Sequence, residues 1–589
     1  MVGEKKDTAA REREHLLRRE RARLRMTRIV ARWHASPLYR FSLAFRETVM
    51  MTNLRAFSVL LTPLGLVTLF RALILPLLTD DFPLLLSEGI AGAVVLLLSL
   101  LFFTYNAPLA KVLTEDTLLS RLFFDVLPLP RPYLSARRGL PIWLAVPVGL
   151  ALGALTFLVS PISILAAPAI LCFLALTLVS PEFGLILLAI LFPLTALLPD
   201  PILPLTVTIL LSLFSYLLKL LRGKRRLSFA LTDLPVLLLA LLLILSCLFA
   251  HEGAQVRLSD GANAAILLLG GYLLASNLLD TRRTLLQFTR GLLLGGAILG
   301  IAGIFCTAVE LTAPEEPSAA LLTLLGSMQT ITGNSTGAVA VLLLLFPLLP
   351  VILGEARFSR RASFSVALLL GTALVLTLSP LTYLALLLSL ILFAVIVRRR
   401  SPIVLVLLFG ILPNFLIALP SAWTDALSSI SFLGIGDLLR GSFEAQDAAI
   451  TILLRHPFGV GLAYVDTGNL YLQLLTVAGI PALFLLLLLL LSIADCSTRS
   501  AACLREPHLR RLTAGVQSGV FALLVFGILV APLSDFRVLF VFAMLLGLLV
   551  AIRRAIHESG EGPLPVAHKE LSAATAAVEV RLSRRRERS

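Results

Sequence analysis

The sequence predicts an all-α, polytopic membrane protein, and three observations carry the prediction. Of 589 residues, 58% are hydrophobic and 14% are charged, with a mean hydropathy of +0.95, a composition outside the range of soluble globular domains. Apolar runs of about 17 to 24 residues recur from Ala56 to Ile552, each long enough to cross a hydrocarbon core of about 30 Å as a helix. The runs are continuous rather than alternating, which excludes the short two-residue periodicity of membrane barrels.

Sixteen spans follow in order, at about 56–78, 84–105, 141–159, 161–179, 183–199, 201–221, 234–250, 262–278, 291–310, 336–354, 363–379, 381–397, 402–420, 469–494, 513–532 and 535–553. The net charge of +15 is distributed as the positive-inside effect requires, not as a nucleic-acid-binding face. With the amino terminus cytoplasmic, the inner loops carry clusters such as Lys224, Arg225 and Arg226, Arg398 to Arg400, and Arg510 with Arg511. The outer loops hold four basic residues, Arg257, Arg440, Arg455 and Arg537. A span missed or invented midway would invert this alternation downstream, so it supports both register and orientation, with both termini cytoplasmic.

Residues 1–55 form a basic cytoplasmic or interfacial segment whose first 34 positions hold eleven Lys and Arg before any apolar run, so no secretory leader is expected. Residues 56–180 form an appended bundle of about four spans, and a composition change near Ser180 opens a twelve-helix core over 181–553. Residues 554–589 lose apolar periodicity and read as a basic, mostly disordered cytoplasmic tail. Cys172, Cys247 and Cys306 fall within spans, while Cys496 and Cys503 fall on the inner side. Neither an external disulfide nor a metal site is expected.

Connections between membrane helices are usually short, so the outer loop over 421–468 needs a function to account for it. It ends in "RHPFGVGLAYVDTGNLYLQLLTVAGIP". Gly459 and Gly461 permit backbone conformations and close approaches that other residues resist. Asn469, Tyr471 and Gln473 place amides and a hydroxyl at the mouth of a span, where each needs a partner. Interhelical hydrogen bonding and acceptor binding are equally compatible with them.

"PFGVGLAY" followed by "GNLYLQLLTVAGIPALF" resembles the signature of the O-antigen ligase and O-antigen polymerase superfamily, with supporting similarity in "SPEFGLILLAILFP" and "TGNSTGAVAVLLLLFPLLP". The resemblance covers about 181–553 and is specific only near 457–481. It implies a membrane glycosyltransferase that moves a glycan from undecaprenyl diphosphate to a glycan or lipid acceptor at the outer face of the bacterial plasma membrane. Its implied partners are the lipid-linked donor, the acceptor and membrane lipid, without nucleic acid, metal, nucleotide sugar or other cofactor.

Such chemistry needs cations on a diphosphate leaving group and a base for the acceptor hydroxyl. Arg440, Arg455, Arg257 and Arg537 are the diphosphate-binding candidates, arginine being suited to bidentate phosphate contact. His456 and Asp466 are the candidate bases. Pairing of Arg537 with Asp535 is the structural alternative for that arginine. Two positions depart from the family pattern: Gly468 stands where the family has its catalytic His, and Pro380 where it has an Arg. A catalytically degenerate assembly partner is therefore the second reading. A lipid or sugar transporter is the third, disfavoured because the spans hold almost no ionisable residue beyond Arg71.

Overall fold

Long apolar runs become helices because a backbone in lipid has no water to satisfy its N–H and C=O groups. The computed structural model describes residues 47–79, 82–115, 139–156, 173–197, 202–221, 227–230, 232–248, 258–312, 336–353, 360–376, 380–397, 449–457, 459–461, 468–503 and 507–558, with a few isolated positions between them. The described residues form helices joined by turns and irregular connections and contain no strand. Seven helices are long and apolar enough to cross a membrane, and shorter apolar helices accompany them. The expected span at 402–420 and most of that at 161–179 lie outside the described residues.

The chain divides into two units, one of Met1–Gly184 and Leu211–Leu227, the other of Leu185–Leu210 and Ser228–Ser589. The first contains α1 (Leu54–Thr79), α2 (Phe82–Phe103), the short α3 (Leu109–Glu115) and α4 (Ile142–Leu155). Small residues let these helices approach closely, as expected where lipid supplies no hydrophobic drive between them. A Cβ at Gly149 would lie 2.4 Å from the Leu60 carbonyl oxygen. The hydroxyls satisfy one another: Ser99 Oγ lies 3.1 Å from Ser58 Oγ and 2.7 Å from Thr62 Oγ1. Helices α5 (Pro181–Leu191) and α6 (Ile202–Leu221) run from one unit into the other. Within the first unit, Glu182 accepts hydrogen bonds from Ser180 and Arg225 and, at 3.4 Å, from Lys219.

The second unit continues with α7 (Asp233–Leu248), α8 (Leu258–Ala265), α9 (Gly271–Leu278) and α10 (Arg282–Thr312). Next come α11 (Thr336–Leu345), α12 (Leu349–Leu353), α13 (Arg360–Leu376) and α14 (Pro380–Val397). It closes with α15 (Leu470–Cys503), α16 (Pro507–Phe526) and α17 (Phe536–Glu558). At its centre α17 is buried on nearly every face from Val538 to Ile552, in keeping with its all-round apolar sequence. Gly547 lies where a Cβ would come 2.5 Å from the Tyr272 carbonyl oxygen, and Gly519 of α16 lies where one would come 2.3 Å from that of Leu344.

Several spans expected as uninterrupted helices are irregular. Residues Phe192–Leu197 and Phe346–Leu348 are 3-10 turns, each containing a proline that removes a backbone donor. Residues Ile266–Gly270 form a π turn between α8 and α9. Helix α10 starts at Arg282, nine residues before the expected 291, where Thr281 Oγ1 accepts from the Thr284 amide as a cap.

Contacts between helix ends fall into two sets. At one end, Arg554 Nη1 donates to the Ser276 carbonyl at 2.7 Å and Nη2 donates to that of Ser228, while Arg510 Nη2 donates to the Ile396 carbonyl at 3.0 Å. At the other end, Asn469 Nδ2 donates to the Ile528 carbonyl at 2.8 Å. Helix α14 therefore finishes, and α15 begins, at opposite ends of α16.

Candidate functional site

The loop that enters α15 and the helix itself are joined by an exchange of backbone hydrogen bonds. Gly479, with φ 76° and ψ −175°, interrupts α15, in a region of backbone space essentially restricted to glycine. In a continuous helix the Val477 carbonyl would accept from residue 481, but Pro481 has no N–H. The Gly461 amide takes that place at 3.0 Å. The Thr476 carbonyl, which would accept from Ile480, accepts from Val460 at 2.8 Å. The Ile480 amide so released donates to the Pro457 carbonyl at 3.2 Å. Two acceptors and one donor freed by the break and by Pro481 are thus satisfied by the strap residues Pro457, Val460 and Gly461, as buried backbone requires.

Glycine is required on both sides of this junction. Gly459 and Gly461 have φ of 88° and 86°, and a Cβ on Gly459 would stand 2.5 Å from the Val477 carbonyl oxygen. The Gly459 amide closes the turn by donating to the His456 carbonyl at 2.9 Å. Residues 449–455 are helical, and Arg455 ends that helix exposed, with His456 partly buried beside it. Ile450 and Leu454, one turn apart, are 43% and 81% exposed. This apolar ridge suits the interface between lipid and water. Arg455, His456, Gly459 and Gly461 are thus brought onto the same junction.

Asn469, Tyr471 and Gln473 follow at the mouth of α15. Asn469 Oδ1 accepts from the Tyr471 amide at 2.8 Å and the Leu472 amide at 3.3 Å, capping the helix, while its Nδ2 reaches Ile528. Tyr471 OH donates to the Leu524 carbonyl at 3.0 Å. Both side chains therefore tie α15 to the end of α16, the structural option open to them in the sequence. Gln473 Oε1 is buried without a hydrogen-bond partner among the described residues. Gly468 has φ 57°, and Pro380 opens α14.

Arg537 lies in the first turn of α17. Its Nε donates to the Asp535 carboxylate at 2.9 and 3.0 Å and its Nη2 donates as well, a bidentate form of the pairing that stood as its structural alternative. The Asp535 carboxylate in turn lies against Gly337 in the first turn of α11, where a Cβ would be 1.9 Å from Oδ2. Arg440, Arg257 and Asp466 lie outside the described residues.

Sequence reasoning missed Gly479, although "VAGIP" held the signal. Glycine next but one to proline inside a span marks a place where backbone groups must find partners elsewhere. It also missed the Tyr272 hydroxyl, which lies 2.7 Å from Thr232 Oγ1 and donates to Asp233 Oδ1 at 2.5 Å. No protein-family model matches the chain, and no curated protein matches it.

Proposed function

We propose that the chain is a sixteen-span protein of the bacterial plasma membrane, with both termini cytoplasmic, that transfers a glycan from undecaprenyl diphosphate to a glycan or lipid acceptor at the outer face. The observation that carries the reading is the junction of the strap 457–461 with the broken helix α15, which brings Arg455 and His456 beside the break in a membrane span. In this reading Arg455, with Arg440 and Arg257, binds the diphosphate, and His456 or Asp466 takes the acceptor proton. The apolar ridge of Ile450 and Leu454 supports a position for Arg455 at the depth of lipid phosphate. The opposed ends of α14 and α15 on α16 agree with the single crossing expected at 402–420, outside the described residues.

The test is glycan transfer by the purified protein in nanodiscs supplied with undecaprenyl-diphosphate-linked glycan and candidate acceptors. Arg455→Ala and Arg440→Ala should each lower transfer by about tenfold or more, the scale of losing a charged contact to the leaving group. Transfer unchanged in both variants overturns these assignments.

The second reading, a degenerate member serving as an envelope-assembly partner, is favoured by one observation. Gly468 offers no side chain, and the polar groups of Asn469 and Tyr471 are engaged within the fold. Histidine adopts a φ near the 57° of Gly468 at a cost of about 1–2 kcal/mol, so Gly468→His is an admissible probe. Transfer gained by that variant from an inactive parent would identify a site that has lost its base.

A further inference from the structure

We infer that Gly479 is a positioning residue: the break it makes in α15 is the socket that holds Arg455 and His456 in place through the strap 457–461. The inference rests on the glycan-transfer reading for its consequence, but its physical basis is independent of it. Two of the three hydrogen bonds between strap and helix use groups that only the break makes available, the Thr476 carbonyl and the Ile480 amide, and the third uses the Val477 carbonyl, which Pro481 leaves without a helical donor. A straight helix would reclaim the Thr476 carbonyl for the Ile480 amide and leave Val460 and Pro457 without partners. An unbroken α15 would thus keep one of the three bonds, to the Val477 carbonyl, and lose the two that seat Pro457 and Val460. Pro457 is clamped by Ile480, and Arg455 is two residues away, within about 7 Å of extended chain. Gly479 lies nine residues beyond Leu470, about 14 Å along the helix axis, so the strap and the groups it holds are seated beside the break, well along α15 from its first residue.

The same bonds make the coupling reciprocal. Unseating the strap from its own side deprives Ile480 of its acceptor and two helix carbonyls of their donors, which favours closing the break.

Hydrogen exchange on the full chain in nanodiscs tests this directly. Gly479→Ala should speed exchange of the Val460 and Gly461 amides about tenfold, while residues 482–495 keep their wild-type rates. Gly459→Ala, made on the strap, should be felt in the helix as faster exchange at Ile480. Should Gly479→Ala fail to fold, Gly459→Ala and Gly461→Ala carry the test from the strap side. Wild-type exchange at Val460 and Gly461 in a folded Gly479→Ala protein, or at Ile480 in Gly459→Ala, overturns the proposal.

In the transfer assay Gly479→Ala should lower the rate on the order of a hundredfold, yet by less than about twofold when added to a variant carrying both Arg455→Ala and His456→Ala, because a positioning residue acts through the groups it positions. A purely structural role would give losses that multiply, and that result contradicts the inference. If exchange responds as stated but even the wild type transfers no glycan, the coupling stands and the glycan-transfer reading falls. If the wild type transfers and exchange does not respond, the coupling alone falls.

Discussion

Asn469 shows how a polar side chain at a span entrance is fixed by backbone needs. Its Oδ1 caps α15 and its Nδ2 holds the Ile528 carbonyl, so Asn469→Ala removes a helix cap and an interhelical bond together. The expected loss is about 1–2 kcal/mol, read as a lower unfolding temperature in detergent. Tyr471→Phe removes one hydrogen bond and should cost about 1 kcal/mol. Arg537 is a different case because its partner is a carboxylate with only 19% of its side chain exposed. Arg537→Ala strands that charge and should destabilise by about 3 kcal/mol, whereas removing Asp535 as well should recover part of the loss. Such a result would mark Arg537 as a structural cation. The sequence offered this pairing beside diphosphate binding and could not choose, because the choice depends on the place of Asp535 against Gly337, 198 positions earlier in the chain.

At the scale of elements, glycine decides where helices touch. Gly519→Leu in α16 and Gly547→Leu in α17 would each drive a side chain into a neighbouring carbonyl, since even a Cβ would come within 2.3 and 2.5 Å. Each should destabilise by about 1–3 kcal/mol or more, while leucine at Gly89, which has open space around it, should leave the unfolding temperature nearly unchanged. The helices were legible in the sequence because lipid forces local hydrogen bonding, making a long apolar run a nearly sufficient instruction. Their interruptions were less legible. The break at Gly479 requires the strap 457–461 to satisfy it, and two segments that complete each other's hydrogen bonds leave no periodicity to read. "PFGVG" and "VAGIP" were visible as unusual phrases, but their pairing is a tertiary fact.

For the whole molecule, the alternation of basic loops makes an orientation claim that can be checked on intact cells or right-side-out vesicles. A membrane-impermeant maleimide should label Leu454→Cys without permeabilisation, whereas Cys496 and Cys503 should react only after the membrane is opened. The reverse pattern would invert the topology. Contacts between helix ends already group the start of α16 with the end of α14, and the end of α16 with the start of α15, so labelling at one site fixes the side of its neighbours. What composition cannot convey is which lipid-borne molecule meets the outer mouth. The most direct measurement is release of undecaprenyl diphosphate from a lipid-linked glycan by the purified protein in nanodiscs. The account predicts acceptor-dependent release that falls at least tenfold in Arg455→Ala. No release from the wild type with any glycan or lipid acceptor, or equal release from wild type and variant, would contradict it.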